Sequence, residues 1–199
     1  IAAIIIISHN LLQFVPPSEN SFVTVLRNLF FTPGLQVVSK DFMFLFAYPL
    51  IPWIAIMLLG FSFGTVFEKQ QSSRNKILSY TGLGALALFI LLRLLNVYGD
   101  PAPWKTEKNA VYTLLSFLNV TKYPPSLIFT LLFLGIAIIA LRYSEKLPLA
   151  IQQFFAAYGS VPMFYYLLHL LFIRIAVFIM VFAQGFTWKD LQFGPFQFG

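Results

Sequence analysis

Ser116-Phe-Leu-Asn-Val-Thr-Lys-Tyr-Pro-Pro-Ser126 decides how this chain is organised, because it places polar side chains and two prolines before an apolar run. Pro125 suits the first turn of a helix, where its missing N–H group removes no hydrogen bond. The apolar run continues to about Leu141, and a membrane helix needs roughly 17 to 25 such residues. The stretch therefore predicts a polar site or a hinge at the entrance of a membrane-spanning helix.

The composition is that of an integral membrane protein. Of the 199 residues, 59% are hydrophobic and 10% are charged, and the mean hydropathy is +0.81. A soluble domain of this length could not bury so much apolar surface. The chain has no cysteine, which excludes disulfides and thiol chemistry, and we expect no metal site.

Hydrophobic runs separated by charged or Gly/Pro-rich connections predict four complete membrane spans. The predicted spans are Leu45–Phe67, Ile77–Val97, Pro125–Leu141 and Val161–Ala183. The apolar stretch Ile1–Ile7 is too short to cross a bilayer and has no signal-peptide pattern, so we expect a truncated helix. The chain is then a single membrane domain, residues 1–199, forming the C-terminal part of a longer protein.

Two further segments have the apolar periodicity of helices that lie along the membrane surface. In Phe22–Phe30 apolar residues recur at helical spacing, and Leu147–Tyr158 shows a similar stripe. The predicted fold class is therefore all-α, a polytopic helical membrane protein. Within the first span, Gly60 and Gly64 form a small-residue pattern that permits close helix contact.

The charges predict an orientation in the membrane. The short connections 68–76 and 142–146 hold five basic residues in 14 positions, so the positive-inside rule places both in the cytoplasm and suggests the inner membrane. His9, Asp100 and the polar stretch then face outward. The net charge of +6 is scattered, which favours contact with anionic lipid head groups over nucleic-acid binding.

Charged and imidazole side chains inside spans are candidates for function. His169 follows Tyr165 and Tyr166 on one face of the last span, and either a functional site or a packing hydrogen bond explains it. Arg174 needs a loop acid, the missing part, another subunit or a bound anion. Arg93 is expected to snorkel to the interface. His9-Asn10 could bind a polar substrate or cap a helix end.

Five segments share the pattern of one known family: Ser8–Leu12, Tyr48–Trp53, Leu94–Trp104, Leu115–Ser126 and Val161–His169. Together they resemble the C-terminal half of bacterial membrane proteins related to heparan-alpha-glucosaminide N-acetyltransferase, in the transmembrane acyltransferase superfamily. The resemblance covers essentially the whole chain, and the run from Asn119 to Ser126 is quite specific.

The resemblance implies a membrane acyltransferase that moves an acyl group, typically acetyl from acetyl-CoA, to a sugar amine or hydroxyl. Such chemistry needs a base near the acceptor and cationic or amide groups for the CoA phosphates and the oxyanion. The family's N-terminal motifs, with its proposed catalytic histidine, are absent here, so these residues alone should be inactive. The motif matches, with roles unassigned, are His9, Asn10, Asn96, Asp100, Asn119, Lys122, Tyr123 and His169.

We therefore expect a polar pocket of substrate-binding residues shared with the missing half or with neighbouring subunits. The candidates for substrate binding are Asn119, Thr121, Lys122, Tyr123, Asn10, Asp100 and Arg174, and the catalytic candidates are His169 and His9.

Two other functions stay open. One is a structural subunit of a larger membrane complex. The other is a small-molecule transporter, which the prolines near membrane helices at Pro49/Pro52 and Pro124/Pro125 suggest.

Overall fold

Helices make up most of the structure, as predicted. A computed structural model of the chain describes residues 1–15, 21–39, 42–188, 193–194 and 197–198. The α-helices are α1 Ala2–Ser8, α2 Ser21–Phe30, α3 Leu50–Phe63, α4 Gln71–Leu95, α5 Ala110–Leu118, α6 Leu127–Ser144, α7 Leu149–Ser160 and α8 Pro162–Ala183. Short 3-10 helices follow α1 over His9–Phe14 and α3 over Gly64–Glu68.

Four helices in the described ranges are long and apolar enough to cross a membrane, which confirms the predicted number. They are Leu50–Glu68, Gln71–Leu95, Leu127–Ser144 and Pro162–Ala183. Their ends differ from the prediction, since α4 begins at Gln71 and absorbs most of the expected 68–76 loop. The two predicted surface helices correspond to α2 and α7.

The start of the first span was predicted wrongly. Residues 42–46 do not belong to a helix, because β2 (Phe42–Phe46) pairs antiparallel with β1 (Gly34–Ser39). Pro49 then precedes α3 in an extended conformation, with ψ at 134°. An apolar run as short as Phe42–Phe46 carries no periodicity that separates strand from helix, so the sequence alone did not reveal the hairpin. A second short hairpin joins β3 (Phe193–Gly194) to β4 (Gln197–Phe198).

The chain forms two compact units, Ile1–Tyr143 and Ser144–Gly199. We call them the first and the second unit and describe each by itself. The first unit contains α1 to α5 and nearly all of α6, together with the β1–β2 hairpin. The second unit contains α7 and α8.

The interior of the first unit has two apolar clusters, one around Ile6, Ala55 and Leu127 and one around Phe89, Ile128 and Leu132. Both include residues from the beginning of α6, so this helix end is the best-buried part of the unit.

Close backbone contact occurs between α4 and α6, where a Cβ atom on Gly82 or on Gly135 would lie 3.3 Å from the carbonyl oxygen of the other glycine. At Gly60 and Gly64, whose spacing permits close helix contact, the described residues make no such contact. A Cβ atom at either position would meet nothing within 4 Å.

Candidate functional site

Arg93 is buried near the C-terminal end of α4, and its side chain is 1% exposed. The expectation that it snorkels to the interface is therefore wrong. Its guanidinium donates four hydrogen bonds of 2.7 to 3.0 Å to the carbonyl oxygens of Ala102, Ser116, Phe117 and Asn119. The planar fork of an arginine suits this arrangement, because it presents donors in several directions at once. The polar stretch thus folds back over α4 and closes around this cation.

Asp100 supplies the matching negative charge, with an oxygen 3.9 Å from Arg93 Nη1. Its carboxylate also accepts hydrogen bonds from the Thr121 backbone N–H at 2.9 Å, the Thr121 hydroxyl at 2.7 Å and the Ser126 hydroxyl at 3.0 Å. A fourth hydrogen bond comes from the Ala102 N–H at 2.8 Å. We call Arg93, Asp100, Thr121 and Ser126 the arginine–aspartate cluster. Because these groups satisfy one another, Asp100 and Thr121 support the fold here.

Asn96 ends α4 in the left-handed conformation, with φ at 53°, which asparagine tolerates better than most residues. Its side chain makes two hydrogen bonds with the backbone of Trp104, at 3.0 and 3.1 Å. The Trp104 indole N–H donates to the carbonyl oxygen of Arg93 at 2.7 Å. Asn96 therefore fixes the loop that carries Asp100 against the helix that carries Arg93.

His9 and Asn10 are buried where α1 meets the start of α6. The two ring nitrogens of His9 lie 2.9 Å from the carbonyl oxygens of Ile6 and Pro125. The Asn10 side-chain oxygen accepts a hydrogen bond of 2.8 Å from the backbone N–H of Leu127, the first residue of α6. Asn10 therefore caps a helix, although the helix is α6 and lies more than a hundred residues away in sequence.

Lys122 and Tyr123 lie beside the arginine–aspartate cluster but are exposed. Tyr123 packs edge-on against Tyr48, with ring centroids 5.2 Å apart, and lies 6.4 Å from the ring of Trp53. Lys122 Nζ sits 5.1 Å from the centre of the Tyr123 ring. We call these four residues the Tyr123 cluster. It combines an exposed ammonium group and two phenols with the partly buried ring of Trp53, at one end of α3 and α6.

Two features suggest that the Tyr123 cluster can bind a ligand. The indole nitrogen of Trp53 is buried and has no hydrogen-bond partner among the described residues. A buried N–H group without a partner is unfavourable and calls for an acceptor. The pKa of the Tyr123 phenol is lowered, first by a hydrogen bond with Tyr48 and then by the hydrogen bond and charge of Lys122. The exposed Lys122 ammonium is thus the group of this cluster that an incoming ligand can reach.

Titration of Tyr123 should reveal this environment. We expect one phenol to ionise below the ordinary tyrosine pKa of about 10, and Tyr123→Phe should remove that component from an ultraviolet absorbance titration. Tyr48→Phe and Lys122→Met should each move the component back toward its usual pKa. Because the folded-state pKa is depressed, the linked stabilisation is fully present above about pH 10 and is lost as pH falls through the folded-state pKa. A titration unchanged by Tyr123→Phe would contradict this assignment.

Asn119 belongs to neither cluster. Its carbonyl oxygen accepts a hydrogen bond from Arg93. Its exposed side chain borders a shallow depression of about 560 Å³ along α5, which Glu107, Tyr112 and Leu115 also line. Lys122 and Tyr123 do not line this depression, although they are close to Asn119 in sequence.

The second unit carries the remaining candidates, on α8. The His169 ring is stacked on Tyr165 with centroids 5.9 Å apart, and its centroid lies 5.1 Å from that of Tyr166, so the predicted shared face is confirmed. The Nδ1 atom of His169 is buried without a hydrogen-bond partner among the described residues. Arg174 lies 6.0 Å from the ring of Phe178.

Sequence reasoning missed Tyr48, Trp53 and Ser126 as site residues. Tyr48 and Trp53 begin a membrane helix, where aromatic residues ordinarily read as interfacial anchors, and nothing local connects them to Tyr123. A signal for Ser126 did exist, because a serine just before an apolar helix is a typical N-terminal residue.

Comparison of the chain with protein-family models, with curated protein sequences and with solved structures gives no match. The candidate site therefore rests on its own geometry.

Proposed function

We propose that this chain is part of a membrane acyltransferase that moves an acetyl group from acetyl-CoA to a sugar amine or hydroxyl. The observation that carries the proposal is the Tyr123 cluster, in which the exposed ammonium of Lys122 lies 5.1 Å from the centre of the Tyr123 ring and the pKa of the Tyr123 phenol is lowered. The resemblance of the polar stretch to membrane acetyltransferases supports the same reaction class.

The cluster suits the binding of a sugar acceptor. Aromatic side chains such as Tyr48 and Trp53 offer an apolar face for a sugar ring together with a polar edge for its hydroxyl groups. Lys122 can donate to an oxygen atom of the acceptor, and charged donors make the stronger hydrogen bonds. Tyr123 can form a hydrogen bond with a hydroxyl or amine of the acceptor and so help to orient it.

In this reaction the acceptor oxygen or nitrogen forms a bond to the acetyl carbon, and the thioester C–S bond of acetyl-CoA breaks. The proton of the acceptor goes to the base and the thiolate of CoA leaves. The catalytic histidine that the resemblance implies lies in N-terminal motifs outside these residues. We accordingly assign to the present residues the binding and orientation of the acceptor.

Four apolar helices support a membrane-embedded protein. We further propose the bacterial inner membrane, with residues 68–76 and 142–146 on the cytoplasmic side, because of their basic charge. The Tyr123 cluster would then act at the opposite face.

Radiolabelled acetyl-CoA and a panel of amino sugars, added to the intact protein in proteoliposomes, test the proposal. We expect transfer by the wild type and a loss of about 10- to 100-fold in kcat/KM for Lys122→Met, because one charge-assisted hydrogen bond is removed. Lys105→Met removes an exposed charge outside the cluster and should leave transfer unchanged. Failure of the wild type to transfer acetyl to any acceptor would overturn the proposal.

A non-catalytic subunit of a membrane complex is the second candidate, and His169 favours it. Its buried Nδ1 lacks a partner among the described residues, and a polar group within a membrane helix commonly finds one on a neighbouring helix. Purification in mild detergent discriminates the two: a stoichiometric complex without turnover would favour the subunit, whereas turnover by the isolated protein would exclude it. The transporter alternative stays a prediction.

A further inference from the structure

The helix α5 (Ala110–Leu118) lies in the connection between α4 and α6, which are both long and apolar enough to cross a membrane. Its nine residues reach about 14 Å at 1.5 Å per residue, which is too short for a bilayer about 30 Å thick. The helix therefore stays on the side of the membrane where α4 ends and α6 begins.

The two faces of α5 differ in what they contact. On one face, the Thr113 hydroxyl oxygen accepts a hydrogen bond from the Glu107 N–H, and the Ser116 hydroxyl oxygen accepts one from the Lys105 N–H, both at 3.0 Å. The opposite face is exposed and apolar. Four aliphatic side chains recur there at helical spacing, each 44% to 65% exposed, and we call them the aliphatic stripe: Val111, Leu114, Leu115 and Leu118.

The C-terminal end of α5 lies beside α4 and not beyond its end. The Phe117 ring packs edge-on against that of Phe89, with centroids 5.7 Å apart. One turn farther along α4, the Arg93 guanidinium donates to the carbonyl oxygens of Ser116 and Phe117. Phe89 precedes Leu95, the last residue of α4, by six positions, or about 9 Å. Phe117 also packs against the apolar cluster that includes the start of α6.

The end of α4 corresponds to the edge of the apolar layer. Residues 71–76 of this helix are polar, and the 19 residues 77–95 cover about 28 Å, which matches a hydrocarbon core about 30 Å thick. A contact about 9 Å before that end is then inside the layer. Helices that lie along a membrane surface bury their apolar face by about 5 to 10 Å, so lipid surrounds the spans at the depth of this contact.

Lysines flank α5 at both ends. Lys105 and Lys108 precede the helix, Lys122 follows it, and all three are exposed. Of the acids in this connection, Asp100 belongs to the arginine–aspartate cluster and Glu107 is exposed. A lysine at the edge of the apolar layer can extend its ammonium group to the phosphates of lipid head groups. An apolar stripe between basic ends is typical of helices at a membrane surface.

We propose that α5 is an interfacial helix whose aliphatic stripe contacts the acyl chains of the bilayer, while the three flanking lysines contact lipid head groups. The stripe then needs no protein partner, and the helix anchors the polar stretch that follows it at the membrane surface. The inference requires neither acetyl transfer nor a ligand at the Tyr123 cluster, so it does not depend on the proposed function.

Site-directed spin labelling tests the proposal, because the chain has no cysteine and a single one gives a single label. The intact protein carries a nitroxide at Leu115→Cys or Leu118→Cys in vesicles of phosphatidylcholine and phosphatidylglycerol. Power saturation measures collisions of the label with oxygen, which enters the bilayer, and with a water-soluble nickel chelate. We expect an oxygen-to-nickel collision ratio severalfold higher than at Lys69→Cys, an exposed site between α3 and α4, and approaching that of Phe133→Cys, half-exposed on α6.

Two results would overturn the proposal. A collision ratio on the stripe equal to that of Lys69→Cys would mean that water covers it. Few collisions with either reagent would mean that protein covers it, either a second copy of the chain or another subunit. Each substitution replaces an exposed side chain, so melting temperatures close to that of the wild type should confirm that the labelled variants are folded.

Discussion

Replacing Arg93 by Met should destabilise the first unit by about 3 to 5 kcal/mol, the loss expected when one partner of a buried ion pair is removed. The change removes the donor that four carbonyl oxygens share, at 2.7 to 3.0 Å. It also leaves Asp100 as a buried carboxylate without its countercharge. Methionine fills similar volume but offers no donor, so these acceptors would lose their hydrogen bonds.

Equilibrium unfolding in mixed detergent micelles, followed by tryptophan fluorescence, measures this effect. Trp104 is a suitable reporter, because its ring packs 5.7 Å from Phe117 and its indole N–H donates to the Arg93 carbonyl oxygen. Arg93→Lys keeps the charge but lacks the planar fork, so it should recover only part of the stability. A free energy of unfolding for Arg93→Met within about 0.5 kcal/mol of the wild type would contradict a structural role.

The second large effect concerns the crossing of α4 and α6. Gly135→Leu should cost about 1 to 3 kcal/mol or more, because overpacking a tight contact shifts the backbone. Even a Cβ atom there would lie 2.9 Å from the Leu86 side chain and 3.3 Å from the Gly82 carbonyl oxygen.

Gly84→Leu is the matched control, since it changes the same residue type on α4 where nothing lies within 4 Å. It should be neutral or slightly stabilising, because leucine favours helices by roughly 0.8 kcal/mol over glycine. Thermal unfolding of the two variants side by side checks the prediction. Equal melting temperatures would mean that the helices do not cross closely at Gly135.

Hydropathy predicted the spans because a bilayer imposes helix length and apolar character on each segment by itself. The ends were less predictable, since they depend on capping and on neighbours. α5 is an example: Asn109 accepts a hydrogen bond from the Tyr112 N–H at 2.9 Å and starts a helix in a stretch that the sequence suggested was a connection. The Asn109 cap was a usable signal.

The roles of the polar residues could not be predicted, because their partners are distant in sequence. His9 meets Pro125 across 116 residues, and Arg93 meets Asn119 across 26. In the sequence, Arg93 lies one turn from the end of a predicted membrane helix, and an arginine there usually extends its side chain to the membrane surface. What the sequence does not reveal is that the polar stretch folds over that helix end and supplies carbonyl oxygens there.

The polar stretch therefore contains two kinds of residue. Thr121 and Ser126 donate hydrogen bonds to Asp100 and hold the loop on the helices, whereas Lys122 and Tyr123 are exposed. Residues 122–125 form a turn, and the Ser126 N–H donates to the Thr121 carbonyl oxygen at 3.0 Å across it. Thr121 and Ser126 at the ends of the turn therefore reach Asp100, while Lys122 and Tyr123 within it are exposed. The buried pair Arg93 and Asp100 supports the fold, and we propose that Lys122 is free of this structural role and binds a ligand.

The free energy of unfolding of the wild type, Arg93→Met and Lys122→Met, measured under identical conditions, distinguishes the structural role of Arg93 from that of Lys122. Both variants replace a single positive charge with the same side chain. We predict a loss of about 3 to 5 kcal/mol for Arg93→Met and a change within about 0.5 kcal/mol for Lys122→Met. An equal loss in both variants, or a larger loss for Lys122→Met, would contradict the account.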